Sequence, residues 1–158
     1  MTTSRMELVR SITRGFSETN FASFRDALAE AESMEDFAES MGAFGELVRD
    51  TVDPRIEIHL HDIRVAFMVG RDFHGWEGWL EFWRNWLEPW DDYSVEFSRW
   101  EEVDDTVLLR LGIKARGRGS GAEVSDAITQ AWTVHRGKVT RLGMYASRRS
   151  ALADLRRG

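Results

Sequence analysis

The chain has no cysteine and only two prolines in 158 residues. Without thiols there is no disulfide framework and no thiolate metal site. No apolar run approaches the roughly 20 residues that a membrane span needs. Met1 to Arg10 is polar and lacks the apolar core of a secretory signal. A cytoplasmic compartment with no membrane partner is therefore the expectation. Positive charge is in deficit: 21 Lys and Arg stand against 27 Asp and Glu, a formal charge of −6. That is not the basic face of a general nucleic-acid binder, and no nucleic-acid partner is expected.

What is present is the composition of one folded domain, 42% hydrophobic with charges spread throughout. No repeat, linker or low-complexity tract divides residues 1–158. Seven residues are tryptophan, and five of them, Trp76, Trp79, Trp83, Trp86 and Trp90, fall within fifteen positions.

The pattern along the chain gives helices first. Ser4 and Glu7 form an S-x-x-E start, and Leu8, Ile12 and Phe16 follow on one helical face. Asn20 or Ser23 can cap a second helix through Glu32. Ser33 opens a third, whose stripe is Met34, Phe37, Met41, Phe44 and Val48; Gly42 and Gly45 weaken it. Ile56, Ile58 and Leu60 alternate with Glu57 and His59, a half-buried strand, and Val65 to Val69 is expected to continue or pair with it. The tryptophans, spaced 3, 4, 3 and 4, form one stripe on a helix that Pro89 ends. Strands follow: Tyr93, Val95 and Phe97; Val107 to Ile113; Val124 to Val134; and Val139 to Tyr145. Their connections are Val103-Asp104-Asp105, Gly117 to Gly121, and His135 to Lys138. Ser147 can cap a final helix bearing Ala151, Leu152 and Leu155. Helices followed by an antiparallel run make an α+β fold. Gly117, Gly119 and Gly121 lead into a strand and not a helix, so they form a hairpin loop and not a phosphate loop.

Several segments together resemble a known family. They are Met6-Glu7-Leu8-Val9-Arg10 running on to Phe16; Leu47 to Pro54 leading into Arg55-Ile56-Glu57-Ile58-His59; Phe73-His74-Gly75-Trp76-Glu77-Gly78; Trp86 to Tyr93; Arg118 to Gly121; Ala131 to Val139; and Tyr145 with Ser150-Ala151-Leu152. In this order they resemble the SnoaL-like family of the nuclear transport factor 2-like superfamily. The resemblance spans nearly the whole chain except about residues 21–45, which read as an extra helical insertion. It implies a cone: a curved, mostly antiparallel sheet wrapped around N-terminal helices, with a pocket between them, commonly in a homodimer. It does not imply one activity, because the superfamily holds cyclases, isomerases, dehydratases, hydrolases and non-catalytic binding proteins.

Ketosteroid isomerase, a superfamily member, uses a carboxylate base with a tyrosine and a protonated aspartate. Alignment back from Gly137-Lys138 sets Gln130 at the aspartate, Ile58 at or beside the base and Thr13 near the tyrosine. All three groups are changed, so ketosteroid isomerase activity is not expected. Gln130 can both donate and accept, and shares a strand face with Asp126, Ile128, Trp132 and Val134. Asp126 is the acid–base candidate if buried against tryptophan, and His59 is a candidate proton shuttle. Alternatively, Asp126 sits at the exposed end of its strand. The expected wall for a flat apolar ligand is Trp79, Trp83, Trp86, Tyr93, Trp132 and Met144, although the tryptophan stripe also suits a plain core face. His59, His61 and His74 are considered as a metal set. The alternation turns His59 and His61 away from the core, and no metal or other cofactor is expected.

Two functional readings stay open. One is cofactor-independent cyclase, isomerase or dehydratase chemistry on a small apolar polycyclic or aromatic molecule. The other is a non-catalytic ligand-binding or dimerisation module.

Overall fold

The computed structural model describes residues 4–63 and 71–157. The expectation for Val65 to Val69 lies outside the described residues. Among the described residues, five helices and six strands run in the order α1 (Arg5–Glu18), α2 (Phe21–Glu30), α3 (Met34–Thr51), β1 (Val52–Leu60), β2 (Asp72–His74), α4 (Gly75–Leu87), β3 (Trp90–Val103), β4 (Thr106–Gly117), β5 (Glu123–His135), β6 (Lys138–Tyr145) and α5 (Arg148–Arg157). The fold is α+β, as the sequence pattern implies.

Each N-terminal helix starts on a side-chain cap. Ser4, Asn20 and Ser33 accept hydrogen bonds from the backbone N–H groups of Glu7, Ser23 and Asp36. These bonds satisfy amides that the first turn leaves without helical partners. The third helix is not continuous. Gly42 adopts φ 61° and ψ −133°, a conformation that side chains with a Cβ avoid, and it kinks α3. Gly45 then lies against the backbone of Ala38, where a Cβ would stand 2.5 Å from the Ala38 carbonyl oxygen.

The sheet is curved, unclosed and mixed, with strand order β2-β1-β6-β5-β4-β3. Its single parallel pair is β1 with β6, and all other neighbours are antiparallel. An extra residue in β3 between Ser98 and Glu101, with Arg99 at φ 55°, breaks the register against β4. Bulges of this kind increase local twist and bend a strand, which suits a sheet that must wrap.

Alternation assigns the two faces. Ile56, Ile58, Leu109, Leu111, Ile128, Gln130, Trp132, Leu142 and Met144 are buried toward the helices, in one core with Val9, Ile12, Phe24, Phe37, Trp79 and Trp83. On the other face a smaller cluster of Leu108, Ala131 and Tyr145 is covered by Ala151, Leu152 and Leu155 of α5. Among the described residues no helix is long and apolar enough to cross a membrane.

Candidate functional site: an apolar cavity under the N-terminal helices

Between α1, α2, α4 and the inner sheet face lies a small cavity, with about 80 Å³ open to the centres of water-sized molecules. Its walls come from three sources. The helices bring Phe16, Phe21, Phe24 and Trp83; β3 brings Tyr93, Val95 and Phe97; the central strands bring Leu111, Gln130 and Trp132. Ser17, Thr19 and Ser94 also line it. Aromatic contacts fix the helical wall: Phe16 stacks on Trp83 at 4.7 Å, and Phe24 meets Trp83 at 5.6 Å.

The position of α2 over this space is set by two arginines. Arg84 of α4 donates to the carbonyls of Leu28, at 2.7 Å, and Ala31, at the end of α2. Those are carbonyls that a helix C-terminus leaves without helical donors, and a cation there also suits the helix dipole. Arg25 of α2 donates to the Trp90 carbonyl at 2.8 Å and lies over the Phe21 ring.

The polar groups of the cavity are sparse and mostly satisfied. The Gln130 side-chain oxygen accepts from the Trp132 indole N–H at 3.0 Å, and its amide nitrogen donates to the Met144 sulfur at 3.4 Å. An indole nitrogen can only donate, which fixes the orientation of the Gln130 amide. The Tyr93 hydroxyl accepts from the Trp86 indole N–H at 2.8 Å. Burial raises the Tyr93 pKa well above the ordinary phenol value, and the Trp86 hydrogen bond lowers it by less. The phenol therefore stays protonated at neutral pH. The Trp83 indole nitrogen differs from these: it is buried and has no partner, and no other side-chain nitrogen or oxygen among the described residues shares that state. A buried donor without an acceptor costs about 1–3 kcal/mol.

These positions sort the candidate residues. Gln130, Trp83, Tyr93 and Trp132 are brought together in the cavity. Trp79 and Trp86 are not in its wall: Trp79 packs against Phe37 and Trp86 against Phe82, as core. The stripe is broader than the opening, so only its middle member reaches the space. Met144 sits behind Gln130 as its acceptor. Asp126 is exposed and accepts from the N–H of Ala127. The burial needed for an acid–base role is missing, because Asp126 precedes the buried part of β5, which begins at Ile128. His59 lies on the opposite sheet face, so the trio Asp126, Gln130 and His59 does not form one site. Thr13 is buried but donates to the Val9 carbonyl of its own helix, and Ile58 is core. Phe21 and Phe24 are among the wall residues missing from the expected wall. Their only signal was a helical segment opening at Asn20.

The geometry defines a class, an α+β cone with an aromatic cavity between sheet and helices. Comparison with known proteins supplies the family. Residues 44–142, more than half of the chain, match the model of the SnoaL-like domain, and the chain belongs to that family. No curated protein matches it. Its fold is shared by TerC, solved with polyporic acid, at 17% identity and TM-score 0.59, covering 98% of this chain and 100% of TerC. A protein of Jannaschia sp. CCS1, provisionally named a SnoaL-like polyketide cyclase, has 16% identity and TM-score 0.62 over 98% of this chain and 94% of its own. A nuclear transport factor 2-like protein of unknown function from Burkholderia pseudomallei K96243 has 12% identity and TM-score 0.60 over 99% and 97%. At these identities the likeness is one of fold.

Proposed function

We propose that this chain binds a small, flat, largely apolar molecule that carries a hydrogen-bond acceptor, and that it holds this molecule between the helical aromatics and the inner sheet face. The observation that carries the reading is the unpartnered, buried Trp83 N–H on a wall residue of the cavity. A ligand carbonyl or hydroxyl oxygen that reaches this N–H, which is closed to solvent in the unliganded fold, supplies the missing acceptor, while the surrounding rings take an apolar body. Segment α2 serves as the lid, positioned by Arg84 and Arg25. Two copies pair as a homodimer in this proposal, an element that rests on the family resemblance.

A binding role is favoured over proton-transfer catalysis by the character of the lining. It contains no carboxylate and no histidine, and Tyr93 is its only titratable side chain. General acid–base chemistry near neutral pH uses groups with pKa values close to the working pH.

The test is tryptophan fluorescence during titration with planar quinones and polyphenols, with polyporic acid, the compound crystallised with TerC, among them. Saturable quenching is expected. Trp83→Phe keeps an aromatic ring but loses the N–H, and affinity is expected to fall about tenfold, the equivalent of about 1.4 kcal/mol. Equal affinity in the variant would remove the proposed hydrogen bond; no binding across the panel would count against the ligand class.

A further inference from the structure

A second cluster lies on the sheet face opposite the cavity. His59 of β1 and His61, just beyond its end, point to the same side, and Asp154 reaches them from α5. One ligand atom from each of the three falls within 4.8 Å of the others. The His59 Nε2 and His61 Nδ1 atoms stand 3.2 Å apart. Two nitrogens bound to one tetrahedral zinc at about 2.0–2.1 Å would be separated by about 3.3 Å.

The surroundings favour metal binding over a simple imidazole pair. The His59 Nδ1 lies 2.6 Å from the Asp72 carboxylate. An ionised carboxylate can only accept, so Nδ1 carries a proton, and in the neutral imidazole Nε2 is the nitrogen left with a lone pair on the His61 side. A carboxylate on the far nitrogen is the arrangement that orients histidine ligands at zinc. Opposite His59 in the parallel pair is Gly143, where a Cβ would meet the Tyr145 ring at 2.6 Å. The glycine lets the Tyr145 ring lie across the sheet, and its hydroxyl donates to Asp154 Oδ2 at 2.5 Å. A carboxylate oxygen of Asp154 lies within 4.8 Å of the ligand nitrogens of both histidines. Among the described residues, the side chain paired with this carboxylate is Arg141, 3.7 Å from Oδ2.

We infer that His59, His61 and Asp154 form a site for a divalent first-row ion of the zinc type, with Asp72 as the positioning residue, and that the bound ion ties α5 to β1. Two imidazoles and a carboxylate, with no thiolate, suit Zn²⁺, Co²⁺ or Ni²⁺ better than Mg²⁺ or Ca²⁺. The site is independent of the cavity and of what the cavity binds.

The experiment is titration of the untagged full chain with Zn²⁺ by calorimetry, with Co²⁺ visible absorption as a geometric probe and amide exchange as a structural one. One ion per chain is expected, with tetrahedral-type Co²⁺ bands and slower exchange in α5. Asp72→Asn is expected to weaken binding about 10–100-fold, and His61→Ala by at least as much. Asp154→Asn keeps an acceptor for Tyr145, so its folding is preserved while its affinity falls. If folded wild-type protein takes up no Zn²⁺, or if His61→Ala and Asp154→Asn both retain full affinity, the site is refuted.

Discussion

At the scale of single residues, Gln130 has a structural role whatever occupies the cavity. It is 1% exposed and supplies the acceptor for the Trp132 N–H. Gln130→Met keeps the length of the side chain but offers the indole no oxygen. A stability loss of about 1–3 kcal/mol is expected, read as a lower urea midpoint with an unchanged slope. A loss well below that range would mean that the indole finds another acceptor. Trp83 is the opposite case, a buried donor with no partner among the described residues. One residue stabilises the wall, and the other is the donor that the proposed ligand would meet.

At the scale of elements, α5 is fastened by a few polar contacts at its start. Arg148 donates two bonds to Glu101, at 2.8 and 2.7 Å, and Ser150 donates to Asp62 at 2.7 Å. The Arg148 hydrogen bonds hold the Glu101 carboxyl below its ordinary value, against a smaller opposing effect of burial. A depressed carboxylate contributes stability that is present above its unfolded pKa and lost as pH falls through the folded one. Protection of the α5 amides is therefore expected to fall between about pH 5 and pH 3, ahead of the central strands. Hydrogen exchange, corrected for intrinsic rates, checks this, and Glu101→Gln should flatten the dependence across that window. Protection that stays constant to pH 3 would show that the apolar contacts of Ala151, Leu152 and Leu155 hold the helix alone.

At the scale of the whole molecule, α2 contributes Phe21 and Phe24 to one side of the cavity. Ligand binding to the folded form and not to the unfolded chain raises stability by mass action, about 2.7 kcal/mol at a hundredfold excess over Kd. For a domain of this size that is a Tm rise of roughly 5–10 °C. Thermal unfolding with a quenching ligand checks it. Arg84→Met, which removes the donors to Leu28 and Ala31, should reduce the rise without abolishing it.

The local periodicities were sufficient for the α+β order, the helix caps at Ser4 and Ser33, the strand faces and the inward direction of Gln130. Each follows from the 3.6- and 2-residue repeats or from the chemistry of the first turn. Periodicity names a face but not what covers it. It therefore did not separate Trp83, at the cavity, from Trp79 and Trp86 in solid core, nor place Asp126 beyond the end of the buried part of β5. The three-residue strand β2 was too short to carry a repeat. The place of Phe21 and Phe24 in the cavity wall, and the meeting of His59 and His61 with an aspartate 93 positions further on, were decided by tertiary structure alone. The wrapping of the sheet and the docking of α2 and α5 on opposite faces bring those residues together, and no local pattern encodes that distance.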